Sequence, residues 1–248
     1  MNRVRPVHPV AMTTGFRHCL LVNFAVDPSA LARLLPRHLT PDLHDGSAFV
    51  SIVIAEMHRM RPEALPMALG ITYDQVVYRA VVRCGAERGV TFLRSDANNR
   101  LMVAGGNALT FFRFHHATTR WDRTPDQVRF SLRPAEQVSA GISATYDLST
   151  AGTTMPASSR FRDLPTAQRF LTELYAAFGA LRSDNRVEVV RIARSPWEST
   201  VLLAHSGIYE AMTSGLLFHD TDAVLDSVFH VRNLEYHWRP LELTRASV

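Results

Sequence analysis

GITYDQVVYRAVVRCGAERGVTFLRS, residues 70–95, is the stretch that decides the fold. Residues 70–84 and 90–95 are rich in valine, isoleucine, tyrosine and phenylalanine, which favour β-strands, and the short segment GAERG separates them. We therefore predict two antiparallel strands joined by a tight turn. A chain organised around such a hairpin is expected to be built on a sheet.

Strand composition recurs on both sides of this hairpin. The further strands that we predict lie at residues 19–26, 47–57, 111–118, 126–134, 137–148, 187–193 and within 228–241. The segments 126–134 and 137–148 are expected to form a second antiparallel pair. Asp45 and Gly46 predict a turn just before the strand at 47–57.

Three segments predict helices. Asp27 as N-cap and Pro28 at the first helical position begin a short helix after the first strand. Residues 97–110 are expected to be helical, and residues 164–181 place an apolar stripe on one helical face, with Asp163 at its start. Many strands with a few helices predict an α+β protein built around an antiparallel sheet or barrel.

Domain organisation is predicted to be simple. The chain has 248 residues, 46% of them hydrophobic, enough for a substantial core. Because no repeat or linker-like segment interrupts it, we expect one domain over residues 1–248. A boundary near residue 155, where Gly, Thr, Ser and Pro are concentrated, is the alternative.

The sequence also indicates the cellular location of the protein and the chemistry of its cysteines. The N-terminal MNRVRPVHPVAM lacks an apolar signal region, and no apolar run is long enough to span a bilayer, so we expect a soluble cytoplasmic protein without membrane contact. Cys19 and Cys84 are the two cysteines, and their spacing matches neither a disulfide framework nor a zinc site.

All 27 basic residues are arginine, and the net charge is +4. Whatever the origin of the lack of lysine, its chemical consequence is that no side-chain amine is available to form a Schiff base. The arginines are scattered and no nucleic-acid-binding signature accompanies them, so no nucleic-acid partner is expected.

Common catalytic and cofactor motifs are missing from the sequence. It contains no GxGxxG, P-loop, GxSxG or HExxH pattern, so we expect no cofactor. His115 and His116 are adjacent, whereas His230 and His237 are seven residues apart without a carboxylate pattern. Ligands on a strand favour alternate positions, and we therefore predict no metal site.

Five stretches of the sequence together resemble a known family. They are residues 16–41, residues 45–57, ITYDQVVYRAVV at 71–82, LRSDANNRLMVAGGNALTFFRFHHA at 93–117, and VFHVRNLEYHWRPLEL at 228–243. In these stretches the chain resembles the acetoacetate decarboxylase-like superfamily, especially its YqjF-like (DUF2071) branch. The resemblance implies a cone-like antiparallel β-barrel flanked by a few helices, an internal pocket for a small carbonyl or carboxylate ligand, and assembly into homo-oligomers.

The resemblance also implies candidate catalytic residues. In the decarboxylases a Gly-Phe-Pro-Lys-Lys segment supplies the Schiff-base lysine, and the similar stretch here is FRFHH at 112–116. His115 then occupies the position of that lysine and His116 the position of its neighbour. Arg17 corresponds to a family arginine and Gln75 to the pocket glutamate. Schiff-base decarboxylation is therefore not expected, and His115, Arg17 and Gln75 are the catalytic candidates.

Strand alternation separates the two histidines. Residues 111, 113 and 115 are expected on one face, and residues 112, 114 and 116 on the other. The aromatic face suits the core, which favours a packing role for His116 and turns Arg113 and His115 toward a wet pocket or solvent. Which histidine faces the pocket stays open. We name Arg113, His116 and Tyr73 as candidate substrate-binding residues.

Two functions from different classes follow. In the first, the protein is an enzyme in which His115 moves a proton on an oxo acid or ketone while Arg17 binds the anion and Gln75 orients the carbonyl. In the second, it is a ligand-binding protein of the same fold without catalysis. A nucleic-acid or regulatory module is a distant third, based only on the basic charge.

Overall fold

The structure is a computed structural model that describes residues 10–181 and 185–245. Within these ranges the helices are α1 (Pro28–Leu34), α2 (Arg100–Leu109), α3 (Leu164–Leu171) and α4 (Glu210–Thr213), with 3₁₀ turns at Met67–Leu69 and Leu148–Thr150. The strands of the same ranges are β1 (Met12–Val26), β2 (Thr40–Pro41), β3 (Leu43–His44), β4 (Ser47–Pro62), β5 (Ile71–Cys84), β6 (Glu87–Ala97), β7 (Phe114–Arg123), β8 (Gln127–Pro134), β9 (Ile142–Asp147), β10 (Ala151–Gly152), β11 (Ala176–Leu181), β12 (Arg186–Ala193), β13 (Ser199–Leu202), β14 (His205–Tyr209) and β15 (Ala223–Arg245).

The predicted hairpin forms part of a closed barrel. Strands β5 and β6 pair antiparallel from Cys84↔Glu87 to Gln75↔Ala97, and Gly85 takes a φ of 60° in the turn. The pairing continues in the order β6, β11, β12, β15, β1, β4 and β5, which returns to β6 and closes seven strands. The expected α+β barrel flanked by a few helices is confirmed, with parallel pairings at β6–β11 and β6–β7 as exceptions to the antiparallel pattern.

A second layer of strands covers one side of the barrel. Strands β7, β8, β9 and β14 extend from β6, and the predicted β8–β9 pair is antiparallel. Tyr78, Phe130 and Tyr146 pack in the core between this layer and the barrel, while Val77 and Phe229 pack on the inner side. Both faces of β5 are buried as a result, which explains its nearly continuous apolar sequence.

Local signals placed two helices and a turn correctly. The carboxylate of Asp27 accepts a hydrogen bond from the Ala30 amide, with Pro28 at the start of α1. Asn99 caps α2 in the same way. Asp45 and Gly46 take positive φ values of 47° and 73°, which fits a tight turn. No helix within the described ranges is long and apolar enough to cross a membrane.

The helix predicted over 164–181 is wrong in its second half. Its N-cap is confirmed, because Asp163 accepts from the Thr166 amide, but α3 ends at Leu171. The chain then forms β11, which pairs with β12 and meets β6 at Ala177↔Val90. Closing the barrel requires a strand at this place, so sheet pairing outweighs the helical pattern of the segment.

The strand predicted from residue 111 begins later than expected. Strand β7 starts at Phe114, because Arg113 takes a φ of 52° and interrupts the extended backbone. Phe111, Phe112 and Phe114 are all buried, so the simple alternation predicted for residues 111–116 does not hold before Phe114. From Phe114 onward the residues alternate as a strand requires.

Candidate functional site

The barrel encloses an apolar cavity of about 300 Å³. This volume lies at the lower end of the range for small-molecule sites, roughly 300–1,000 Å³. Aromatic, methionine and aliphatic side chains form most of its wall, namely Met12, Phe16, Val53, Met57, Met60, Phe92, Met102, Phe112, Phe114 and Trp238. Residues from β1, β4, β5, β6 and α2 contribute to it, so the cavity depends on barrel closure.

Strand β5 supplies three of the polar side chains of the cavity. Tyr73, Gln75, Val77 and Arg79 follow one another at every second residue and all line it. The Tyr73 hydroxyl donates to Oε1 of Gln75 at 3.0 Å, so the amide nitrogen of Gln75 stays available as a donor. Burial raises the pKa of Tyr73, which keeps its phenol neutral.

Arg79 is a buried cation at one end of the cavity, with 4% of its surface exposed. One terminal nitrogen donates to the carbonyl of Leu171 at 2.8 Å, but its Nε has no acceptor. No carboxylate pairs with it in the part of the chain that the structure describes. Burial lowers the pKa of Arg79 to about 10, and the side chain is therefore still charged at neutral pH.

Trp197 completes this polar end. Its ring centroid lies 5.3 Å from the Arg79 guanidinium carbon, and its Nε1 is buried without an acceptor. Arg194 lies on the same indole at 4.8 Å and donates to the carbonyl of Thr172. Arg79 and Trp197 both line the cavity, and the buried atom of each that lacks a partner, Nε of Arg79 and Nε1 of Trp197, is a donor. This end of the cavity therefore suits an acceptor-rich, negatively charged group.

The structure brings two of the six predicted residues to the cavity. Tyr73 and Gln75 line it, whereas Arg17 does not. The Arg17 side chain is 57% exposed, with nitrogens 3.7 Å from the Glu56 carboxylate and 3.5 Å from the His58 ring. Phe16 points into the cavity instead, and strand alternation puts its neighbour Arg17 on the outer side.

His115 lies on the outer side of the wall. Its side chain is 30% exposed, and Nδ1 is 2.9 Å and 3.0 Å from the two carboxylate oxygens of Glu136. This hydrogen bond lowers the pKa of Glu136. Glu136 is also 3.8 Å from Arg94, which forms a buried ion pair with Asp96. The structure therefore does not bring His115 and Arg17 to a common cavity.

Arg113 and His116 are also outside the cavity lining. Arg113 is exposed just before β7, and His116 is half-buried. The pairing register aligns Ser95 with Phe114 and Ala97 with His116, so His116 shares the inner face with Phe114 but lies beyond the cavity. Of the two surroundings predicted for Arg113 and His115, a wet pocket or solvent, the exposure of Arg113 fits solvent, and the phenylalanine face lines the cavity.

Sequence reasoning missed Arg79 and Trp197. A signal for Arg79 was available, since it is four residues after Gln75 and therefore on the same face of a strand that is otherwise apolar. Trp197 follows Pro196 in a loop, and nothing local connects it with β5. Within residues 10–181 and 185–245, no group of three histidine, cysteine or acidic side chains is placed to hold a metal ion.

Solved structures with the same architecture define the class of fold. An acetoacetate decarboxylase from Legionella pneumophila aligns with a TM-score of 0.64 at 13% identity, over 96% of this chain and 89% of that one. An acetoacetate decarboxylase-like enzyme from Sphingomonas wittichii RW1 gives 0.63 at 14% identity, over 96% and 94%. The enduracididine biosynthesis enzyme MppR, complexed with pyruvate, gives 0.61 at 12% identity, over 99% and 93%. The fold is that of the acetoacetate decarboxylase-like proteins.

The sequence comparisons place the chain within this class. The model of the DUF2071 family, described as "Uncharacterized conserved protein", matches residues 13–225. The protein YqjF of Bacillus subtilis (strain 168) is 24% identical over 188 residues, 75% of this chain and 74% of YqjF. The chain belongs to the DUF2071 family, and the resemblance stated from the sequence is confirmed.

Proposed function

We propose that the chain is a small-molecule-binding protein whose barrel cavity holds a carboxylate or a polarised carbonyl compound, with Arg79 as the anion anchor. The observation that carries the proposal is the burial of the Arg79 charge without a carboxylate partner among the described residues. A buried charge is costly unless it is paired. A bound anion would provide the missing partner, and Gln75 would donate to its second oxygen or to a carbonyl.

Binding without catalysis is the function that the cavity favours. Among the described residues that line it there is no histidine, cysteine, aspartate or glutamate, and the sequence has no lysine. Proton transfer near neutral pH requires a group whose pKa lies near that pH. Tyr73 is held neutral and Arg79 charged, so these side chains suit recognition better than proton transfer.

A carboxylate ligand is also supported by MppR, which has the same fold and whose structure is complexed with pyruvate. We extend the ligand class, but not that enzyme's chemistry, to this chain. Location in the cytoplasm and assembly into homo-oligomers remain proposals drawn from the sequence and from the family resemblance.

A second candidate function depends on the pair formed by His115 and Glu136. Their 2.9 Å contact fixes the orientation of the imidazole, as a carboxylate does for a general base. In this candidate His115 acts on an oxo acid or ketone, with Arg113 and His116, which lie beside it along the chain, as further polar groups. A turnover assay with oxo acids and β-diketones tests it: activity that disappears in His115→Ala supports this function, and no turnover by the unmodified protein contradicts it.

Isothermal titration with a panel of carboxylates and their neutral amides tests the main proposal. The proteins compared are the unmodified chain, Arg79→Met and Arg129→Met, the last as a matched control because Arg129 is exposed and 3.7 Å from Asp122 on the outer layer. We expect carboxylates to bind the unmodified chain and the control at least tenfold more tightly than Arg79→Met. Equal affinity in all three proteins would refute Arg79 as the anchor.

A further inference from the structure

The cavity has two chemically different ends. At the inner end, Arg79 and Trp197 lie beneath the last turn of α3, where Arg79 donates to Leu171. At the outer end, Met12 pairs with both Pro62 and Trp238, and all three line the cavity. The rim there includes Val10 and Leu109, which are 44% and 39% exposed. The mouth is therefore apolar, and the charge lies at the closed end.

The path between the two ends is long for a very small ligand. Tyr73 and Arg79 are six residues apart on β5, which corresponds to roughly 20 Å of extended strand. The wall along this path is apolar, with Val53, Ala55 and Met57 contributed by β4. Methionine side chains at the mouth can adapt to different apolar shapes.

The cavity volume bounds the size of the occupant. About 300 Å³ corresponds to the space of about ten water molecules, at roughly 30 Å³ each, and so to a ligand of about ten non-hydrogen atoms. A two- or three-carbon acid held at Arg79 would leave most of the apolar wall without contacts. Such unfilled space forfeits dispersion and hydrophobic stabilisation.

The charge pattern limits the ligand to one anionic group. Arg79 is the one charged side chain among the described residues that line the cavity. A second carboxylate near the mouth would face methionine, proline and tryptophan side chains, with no cation to pair with among the described residues that line the cavity. Dicarboxylates and phosphorylated metabolites are therefore poor matches for this cavity.

From these observations we infer that the natural ligand is an amphipathic monocarboxylate of about ten non-hydrogen atoms, a medium-chain or arylalkyl acid. Its carboxylate lies against Arg79, Trp197 and Gln75, and its apolar tail extends toward the mouth between Met12 and Trp238. This inference rests on the proposed binding function, because it assumes an anion at Arg79.

A chain-length series tests the inference on the unmodified protein. Acetate, butanoate, hexanoate, octanoate and decanoate are titrated calorimetrically, with octanamide as the neutral analogue of octanoate. We expect the affinity to rise about fourfold for each added methylene up to about octanoate, and octanoate to bind at least tenfold more tightly than octanamide. The emission of Trp197 and Trp238 gives an independent signal, because both indoles line the cavity.

A variant that fills the cavity locates the tail. Ala55 lines the middle of the cavity wall, so Ala55→Leu should shift the preferred chain length toward hexanoate without reducing the preference for a carboxylate over an amide. Ala157→Leu is the matched control, since Ala157 is an exposed loop residue. An optimum that stays at the same chain length in Ala55→Leu would contradict the proposed position of the tail.

The outcomes separate the two proposals. If acetate binds as tightly as octanoate while Arg79→Met still abolishes binding, the inference about the ligand class fails and the proposed function stands. If octanoate and octanamide bind equally, or if no carboxylate binds at all, Arg79 is not an anion anchor and that part of the proposed function fails together with the inference.

Discussion

Strands β5 and β7 both pair with β6, but their polar residues lie on opposite sides of the barrel wall. On β5, Gln75 and Arg79 face the cavity. On β7, Phe114 faces the cavity and His115 pairs with Glu136 outside it. The histidine pair is the more conspicuous feature in the sequence, yet the buried cation is the one with a cavity around it. Residue type alone does not predict which side chains line the cavity, because a shift of one residue along a strand turns the side chain to the opposite face of the sheet.

The largest effect that we expect from this comparison is on stability, at Phe114. Its ring is buried against Gly106, where an added Cβ would come within 2.3 Å of it. Phe114→Ala should lower the free energy of unfolding by about 3–5 kcal/mol, the usual range for truncating a buried phenylalanine. Urea denaturation measures this change. A loss below about 1 kcal/mol would mean that Phe114 does not anchor the inner face.

The second effect is on the pH dependence of the free energy of unfolding, and it comes from the buried His230. Burial lowers the pKa of His230 to about 4, whereas an unfolded chain has a histidine pKa of about 6.5. The unfolded state then binds more protons between these values, so the free energy of unfolding falls as the pH drops from 6.5 toward 4. The contribution of His230 reaches about 1.4 kcal/mol per pH unit in the middle of this window.

His230→Gln should therefore show a shallower loss of stability on acidification than the unmodified chain. Urea titrations at pH 7, 6 and 5 give the two slopes. Parallel slopes would indicate that His230 is protonated in the folded state. His18, whose ring is stacked 5.8 Å from that of His230, also has a lowered pKa because of burial, and it contributes in the same direction in both proteins.

A smaller effect is expected at Gln75. Its amide is oriented by Tyr73 and donates to the bound anion in our proposal. Gln75→Ala should weaken octanoate binding about tenfold, since a hydrogen bond to a charged group contributes roughly 1.5–3 kcal/mol. Tyr73→Phe removes only the orienting group and should weaken binding less. Calorimetry on both variants checks the order, and an equal or larger loss in Tyr73→Phe would contradict it.

The smallest effect is expected at His115. Because its contact with Glu136 is partly exposed and outside the cavity, His115→Ala should leave octanoate affinity unchanged within about twofold and stability within about 1 kcal/mol. The same titration as for Gln75→Ala measures the affinity. A tenfold loss of binding would place His115 in contact with the ligand. It would contradict the conclusion that the polar residues of β5, and not those of β7, face the ligand.

The sequence was sufficient where the information is local. Asp27 was predicted as the N-cap of α1, and its carboxylate accepts from the nearby Ala30 amide. The two strands of the predicted hairpin, β5 and β6, follow each other along the chain with only their turn between them. The alternation of β5 also places Gln75 and Arg79 on one face, so a buried cation near Gln75 could have been predicted from spacing alone.

Where distant parts of the chain meet, the sequence was not sufficient. The segment after Leu171 has a helical pattern, but its conformation is set by β6 and β12, which lie far away along the chain. The alternation of side chains is interrupted at Arg113 by a single positive φ, and an arginine in the sequence does not predict that conformation. Trp197 reaches Arg79 only because the barrel closes.

The early end of α3 has a consequence for the charge inside the barrel. The carbonyl of Leu171, which accepts from Arg79, belongs to the last turn of that helix, where the peptide dipoles sum to roughly half a negative charge. A guanidinium can therefore remain inside the barrel before any ligand arrives, partly neutralised by a helix terminus. The same break in the helix provides both the strand that closes the barrel and the electrostatic support for the cation within it.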